Sequence, residues 1–110
     1  MSHYHDASDL KLLSELKTLA PDEFKGFVAL DSIVGKTDGA IPWKYRELIA
    51  LGVACTTQCP YCLSVHTRAA KRAGATRQEI AEVALLAASL RAGAAVTHGT
   101  LALKLFDNAE

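Results

Sequence analysis

The segment 59–66, which reads CPYCLSVH, limits the possible folds of this chain more than any other part. Proline has a fixed φ and no amide hydrogen, so Pro60 suits the first turn of a helix and not its interior. A helix that begins at Pro60 has Cys59 at its N-cap and Cys62 in its first turn. His66 then lies four residues after Cys62, on the same face. The segment therefore predicts a helix that presents two thiols and an imidazole.

These two thiols are predicted to be reactive. The N-terminus of a helix stabilises a thiolate, because unpaired N–H groups and the positive end of the helix dipole lie there. In a reducing compartment, two cysteines this close are typical of a redox or metal site and not of a structural disulfide. The dipole does not decide which thiol attacks, since both lie at the same helix end. His66 is a proton acceptor beside Cys62, and for this reason we assign the attack to Cys62.

The other segments have the apolar spacing of helices, and no two strand-like runs are available to pair. Helices are predicted over residues 6–19, 21–34, 43–57, 60–73, 76–90 and 91–106. Prolines, glycines and capping residues separate these segments, as at Pro21 and Gly74. The predicted fold is therefore all-α, a helical bundle of about six helices in a single domain of residues 1–110, with a flexible tail at 1–5.

Composition excludes several classes of partner. The formal net charge is zero, from 12 basic and 12 acidic residues, and no basic arm indicates nucleic-acid binding. The N-terminus carries Asp6 and Asp9 and lacks the apolar stretch of a signal peptide. Charged residues such as Glu82 and Arg91 interrupt the longest apolar runs before the ~20 residues that span a bilayer. We therefore expect a soluble, cytoplasmic protein without a membrane partner.

Two apolar segments predict a homo-oligomer. Residues 49–55 are apolar on every side of their helix, and residues 80–96 are rich in alanine. Together they offer more apolar surface than a monomer of this size can cover. Within these segments Cys55 is predicted to be a small buried residue and not a third redox partner. His98 is predicted to be an interface histidine, and Trp43 to lie in the core or an interface.

Glu47 is the only acidic residue between positions 38 and 79, and it precedes the apolar run, where an unpaired carboxylate is costly. If the helices on either side of residue 58 pack antiparallel, His66 and Glu47 differ in depth by about 4.5 Å along the axis. A glutamate side chain spans that distance. Glu47 would then orient His66 and accept its proton, in the nucleophile–base–orienter arrangement of covalent catalysis. The alternative is a surface pair between Glu47 and Lys44 or Arg46.

These residues resemble the AhpD-like alkylhydroperoxidase core of the carboxymuconolactone decarboxylase family. The family pattern is a glutamate, a CxxC twelve positions later and a histidine four residues after the second cysteine. Glu47, Cys59, Cys62 and His66 match it. The resemblance covers residues 43–101, including the continuation after the histidine.

The resemblance implies an all-α subunit that assembles into trimers or hexamers. It also implies that a hydroperoxide is reduced through a cysteine sulfenic acid and an intramolecular disulfide. Cys62 would attack the peroxide, Cys59 would resolve the sulfenic acid, and His66 and Glu47 would assist. An external thiol reductant would restore the dithiol; in well-characterised AhpD enzymes it is a lipoyl-bearing protein. No cofactor and no metal are expected.

Tyr61 departs from the best-known AhpD enzymes, which have a histidine just before the second cysteine. A phenol is a poor base at neutral pH, so a weaker proton relay is expected. We expect Tyr61 to pack beside the dithiol, with an auxiliary role left open. The chain is more similar to the short single-domain branch with CxYC, whose substrates are less settled.

Three alternatives to a peroxidase remain open. The first is a general dithiol–disulfide oxidoreductase of unknown substrate. The second is a metal-binding module, in which Cys59, Cys62, His66 and Glu47 would hold zinc. The third is a non-catalytic oligomeric protein.

Overall fold

The computed structural model describes residues 4–110. A short 3₁₀ helix precedes five α-helices, and no strand occurs in residues 4–110, so the all-α prediction is confirmed. The 3₁₀ helix spans Ala7–Leu12, and the α-helices are α1 (Leu13–Leu19), α2 (Pro21–Val34), α3 (Trp43–Thr57), α4 (Pro60–Arg72) and α5 (Arg77–Asp107). Residues 1–3 of the predicted tail lie outside the described residues. The ring of His5 in that tail meets the ring of Tyr61 edge-on, with 6.4 Å between centroids.

Local sequence signals explain most of the helix boundaries. Pro60 is the first residue of α4, and Cys59 is its N-cap. Gln58 ends α3 in the left-handed conformation, which turns the chain back so that α4 returns along α3. Gly74 follows α4 with φ +94°, a conformation that glycine adopts without steric cost. Thr76 opens α5 with a capping box, as predicted.

One predicted boundary is wrong, and one predicted helix differs in type over its first half. The predicted helices 76–90 and 91–106 are one continuous helix, α5, of 31 residues, so the part of the chain that the structure describes has five α-helices and not about six. Neither Arg91 nor the glycines that follow break this helix, because a helical glycine costs only about 1 kcal/mol relative to alanine and the flanking residues favour helix. The predicted helix 6–19 begins as the 3₁₀ helix and becomes α-helical at Leu13.

The core lies where α3 packs against α4 and the first part of α5. Leu48, Leu51 and Ala70 form its buried centre, and partly buried side chains of α4 and α5 surround them. Ala70 is fully buried, and its small side chain lets α3 and α4 approach closely. The side chain of Arg91 donates to the backbone carbonyl of Thr56, which ties α5 to the end of α3. α3 therefore packs against both α4 and α5.

The rest of the chain is little covered. None of the residues of α2 is buried, and residues 91–107 of α5 are all exposed. The radius of gyration is 18.3 Å, whereas a compact domain of this length has about 13 Å. Cys55 is exposed, so the prediction that it is a buried apolar residue is wrong. It lies on α3 facing away from the packed side, whereas Ala54 faces inward.

The continuity of α5 also changes the expectation about membrane spans. An 18-residue window of this helix has a mean hydropathy of 1.5 and is only 6% buried, so α5 is long and apolar enough to cross a bilayer. By this measure, the prediction that Glu82 and Arg91 interrupt the apolar run is wrong for α5. One such helix is weak evidence for insertion, because length and composition are its whole basis. The absence of a membrane partner stays a prediction.

Candidate functional site

The two cysteines of the CxxC lie at the junction of α3 and α4. Their sulfur atoms are joined in a disulfide, and their Cα atoms are 5.3 Å apart. The backbone N–H of Cys62 donates to Sγ of Cys59 at 3.1 Å. After reduction, the same N–H would stabilise a thiolate at Cys59, because a donor to the charged form favours that form. Both cysteines are half-buried, so the disulfide is open to a solute.

Glu47 and His66 meet across the interface of α3 and α4, as the antiparallel argument predicted. Nδ1 of His66 lies 2.6 Å from Oε2 of Glu47. An ionised carboxylate only accepts hydrogen bonds, so the Nδ1–H of His66 donates and Nε2 keeps its lone pair. The side chain of Glu47 is 11% exposed, whereas that of His66 is 34% exposed. The carboxylate is therefore enclosed, while the imidazole that it orients can accept a proton at Nε2.

The predicted alternative, a surface pair between Glu47 and Lys44 or Arg46, is contradicted. Nζ of Lys44 pairs with Oε2 of Glu79 on α5 at 3.0 Å. This contact lowers the pKa of Glu79 and raises the pKa of Lys44. Arg46 donates to two backbone carbonyl groups, one at the end of α2 and one in the following loop, at 2.8 and 3.0 Å. The cations beside Glu47 in the sequence thus have other partners.

Trp43 is a site residue whose contact the sequence argument missed. Its indole Nε1–H donates to Oε1 of Glu47 at 3.3 Å. The prediction of a core or interface position for Trp43 did not include this hydrogen bond. The spacing of Trp43 and Glu47 could have predicted this contact, since side chains at i and i+4 of a helix are neighbours.

Tyr61 is attached to the N-terminal segment, which is residues 4–19 with the 3₁₀ helix and α1. Its hydroxyl donates to Oδ2 of Asp9 at 2.8 Å, and the same carboxylate oxygen accepts from the backbone N–H of Asp6 at 2.8 Å. The hydrogen bond to Asp9 raises the pKa of Tyr61. Tyr61 is thus poorly suited to act as a base, and its hydroxyl is already engaged. No sequence signal pointed to Asp9, because 52 residues separate the two partners.

A cavity of about 550 Å³ lies beside Tyr61. The 3₁₀ helix and α1 form its other walls, largely through leucine side chains that include Leu10, Leu13 and Leu16. The N-terminal segment therefore builds an apolar recess next to the CxxC.

The remaining candidate residues are less closely involved. Cys55 on α3 and His98 on α5 are both exposed, and the predicted interface role of His98 stays a prediction. Within residues 4–110, no group of three or more His, Cys, Asp or Glu side chains is arranged to hold a metal ion. The geometry of Cys59, Cys62, His66 and Glu47 therefore gives no support to the zinc alternative.

Comparison with known proteins identifies one family. The sequence model described as "Carboxymuconolactone decarboxylase family" matches residues 21–105. The crystal structure of apo-lpg0406, a carboxymuconolactone decarboxylase family protein from Legionella pneumophila, superposes with a TM-score of 0.68 at 30% sequence identity. The superposition covers 91% of this chain and 88% of that protein.

Two curated relatives are similar in sequence. "Uncharacterized protein 4 in cox locus" of Paracoccus denitrificans is 44% identical over 81 residues, which are 74% of this chain and 72% of that protein. An uncharacterized protein of Cupriavidus necator is 36% identical over 70 residues, which are 64% of this chain and 62% of that protein.

Proposed function

The chain belongs to the carboxymuconolactone decarboxylase family, and on this basis we propose that it is a thiol-dependent peroxidase that reduces alkyl hydroperoxides. The observation that carries the proposal is the Cys59–Cys62 disulfide at the start of α4, one turn before a histidine that is hydrogen-bonded to a buried glutamate. A dithiol, a base and a residue that orients the base are the parts that such a cycle needs. The choice of a hydroperoxide as the substrate rests on the resemblance to the AhpD-like branch.

The first step consumes the hydroperoxide. Nε2 of His66 takes the proton of the Cys62 thiol, and the thiolate attacks the terminal oxygen of the hydroperoxide. The O–O bond breaks, Cys62 becomes a sulfenic acid, and the departing alkoxide takes the proton from His66 to leave as the alcohol. Glu47 accepts the Nδ1–H of His66 throughout and stabilises the imidazolium that forms.

The second step forms the disulfide. The thiol of Cys59 attacks the sulfenic sulfur of Cys62, an S–S bond forms, and water leaves. One thiol of an external dithiol then attacks Cys59, and the Cys62 thiolate departs beside His66. The second thiol of the reductant attacks its own sulfur in this mixed disulfide, which releases the Cys59 thiolate and leaves the reductant as a disulfide. We propose that this dithiol is delivered by a partner protein, of which a lipoyl-bearing protein is the expected type, and that the cycle runs in the cytoplasm.

We further propose that the protein works as a homo-oligomer, a trimer or a hexamer. The apolar side chains of α2 and of residues 91–107 lack cover within residues 4–110, and the chain is more extended than a compact domain. Helices of further copies would cover these surfaces. Light scattering that gives a monomeric mass at micromolar concentration would refute this part of the proposal.

A second candidate function is general dithiol–disulfide exchange. It is favoured by the N–H of Cys62 that points at Sγ of Cys59, since a stabilised thiolate at Cys59 would attack disulfides without any peroxide. The two functions differ in the first attacking sulfur. A peroxidase needs Cys62 first, whereas an exchange enzyme needs Cys59 first.

The test uses the Cys55→Ser variant after reduction of its disulfide, so that Cys59 and Cys62 are the two thiols of the chain. We expect one equivalent of an organic hydroperoxide to remove both thiols rapidly and to yield a Cys59–Cys62 bridge in mass spectrometry. Adding Cys59→Ser should stop the reaction at a sulfenic acid, and adding Cys62→Ser should abolish it. Oxidation no faster than that of free cysteine would reject the peroxidase. Fast reaction with a small disulfide alone would then favour the second candidate.

A further inference from the structure

Trp43 completes the hydrogen bonding of a buried carboxylate. Glu47 lies one helical turn after Trp43 in α3, and its two oxygens have different partners. Oε1 accepts from the indole N–H of Trp43 at 3.3 Å, and Oε2 accepts from His66 at 2.6 Å. Because Glu47 is enclosed, water is a poor substitute for either donor.

Two donors on one carboxylate determine its rotation. The terminal torsion of a glutamate is broad, so a single hydrogen bond leaves the carboxylate plane free to turn. A donor on each oxygen fixes this plane, and here it directs Oε2 toward His66. The direction of Oε2 in turn keeps the proton of the imidazole on Nδ1 and the lone pair on Nε2. The tautomer that the site uses thus depends on a donor that does not touch the imidazole.

We propose that Trp43 is a positioning residue: through its indole N–H it holds Glu47 so that His66 presents Nε2 as the base. Its role in peroxide reduction rests on the proposed function, whereas its control of the His66 tautomer stands on the hydrogen bonds alone. The proposal concerns the indole N–H and not the packing of the ring.

Trp43 is the only tryptophan of the chain, so its indole can be replaced selectively. Incorporation of benzothienylalanine in place of tryptophan exchanges the N–H for sulfur in a ring of nearly the same shape. Trp43→Phe is the encoded counterpart. Glu47→Gln is the reference variant that alters the acceptor itself, and His66→Gln assigns the nitrogen signals of His66 among the four histidines.

The decisive measurement is nitrogen-15 NMR of the histidine rings. In the wild-type protein we expect His66 to carry its proton on Nδ1. In the benzothienylalanine protein we expect a mixture of tautomers, with circular dichroism unchanged. The rate constant of Cys62 with an organic hydroperoxide should fall about tenfold. In the Glu47→Gln background, the same replacement should have little further effect, since the two residues act through one chain of hydrogen bonds.

Each outcome decides the proposal. A His66 that keeps the wild-type tautomer without the indole N–H overturns it, whatever the rate. A tautomer shift with a reduced rate supports it in full. If the wild-type protein consumes no peroxide, the proposed function fails, while the NMR comparison still decides whether Trp43 positions Glu47 and His66.

Discussion

Two parts of this molecule are rich in apolar side chains and differ in what covers them. The inner part consists of α3, α4 and residues 77–90 of α5. Within residues 4–110, every buried side chain lies there. The outer part consists of α2 and residues 91–107 of α5, where large apolar side chains such as Phe27, Leu103 and Phe106 are exposed. The inner part therefore holds the buried core, although one of its own faces, with Ile49, Val53 and Leu86, is exposed as well.

The difference shows that an apolar composition predicts that side chains will be buried. It does not predict which helix, or which copy of the chain, covers them. Residues 49–55 illustrate this within one helix. Leu51 and Ala54 are buried against α4 and α5, whereas Ile49 and Val53 are more than half exposed. The disulfide and the Glu47–His66 pair lie in the inner part, so their geometry requires no second copy. Association would act on the outer part and on the exposed apolar face of the inner part, which includes Ile49, Val53 and Leu90.

The largest expected effect is the loss of stability when a buried leucine of the inner part is truncated, compared with an exposed leucine of the outer part. Leu51 is 2% exposed and Leu103 is 68% exposed. We expect Leu51→Ala to lower the free energy of unfolding by about 2–5 kcal/mol, since it leaves a cavity. Leu103→Ala should change it by no more than about 0.5 kcal/mol. Urea denaturation at the lowest workable protein concentration measures both. Equal losses would mean that the outer part is also covered and that the two parts do not differ in packing.

The next effect concerns association. We expect Phe106→Glu and Phe27→Glu to weaken association about tenfold or more, because a charge would be buried without a partner. Light scattering over a dilution series measures the mass, and circular dichroism should show retained helix. Lys25→Glu on α2 serves as a matched control at an exposed polar position. If the phenylalanine variants keep the wild-type mass at every dilution, these side chains are not part of an interface.

A smaller effect is expected at Tyr61, where the N-terminal segment joins the inner part. Its hydrogen bond to Asp9 raises the pKa of Tyr61 above the usual value of 10.0. The protonated phenol is therefore favoured by folding. This stabilisation is present below about pH 10 and is lost as the pH rises through the raised pKa. Asp9→Ala should let Tyr61 titrate at lower pH, which the ultraviolet absorbance of tyrosinate follows.

The titration needs a reference, because the chain contains three tyrosines. Tyr61→Phe should remove the late phase of the wild-type curve, whereas Tyr45→Phe should leave it in place. A late phase that persists in Asp9→Ala would contradict the hydrogen bond.

The smallest effect is expected at the ion pair between Lys44 and Glu79, which joins α3 to α5 at the surface. Lys44 lowers the pKa of Glu79 from its usual value of 4.5, so the ionised carboxylate is favoured by folding. The stabilisation is present above that pH and is lost as the pH falls through the lowered pKa. Lys44→Met should therefore be slightly less stable than wild type at neutral pH, and the difference should shrink in acid. Thermal unfolding across pH measures it, with Lys104→Met as the control.

Much of the site was predictable because its signals are local. Pro60, the CxxC and the histidine spacing predict the start of α4 and the residues on its face, and the structure has both. The meeting of Glu47 and His66 followed from one added assumption, antiparallel packing about a short turn, and it is confirmed. Their catalytic roles, and that of Cys59 and Cys62, stay predictions.

Other features had no local signal. The predicted break near residue 91 is absent, because glycine and arginine are tolerated in a helix whose other residues favour it. Cys55 is exposed because α3 turns one apolar face outward, and no periodicity distinguishes the two faces of a segment that is apolar all round.

By itself, the sequence determined the all-α class, most of the helix starts and the order of thiols and imidazole along α4, since backbone geometry and capping act over a few residues. Tertiary structure alone decided that Tyr61 binds Asp9 and which apolar faces remain open. It also decided that Trp43 uses its N–H on Glu47 and not only its ring in packing. These outcomes depend on how whole helices rotate and approach one another, and the free energies that set this rotation are shared among many distant residues.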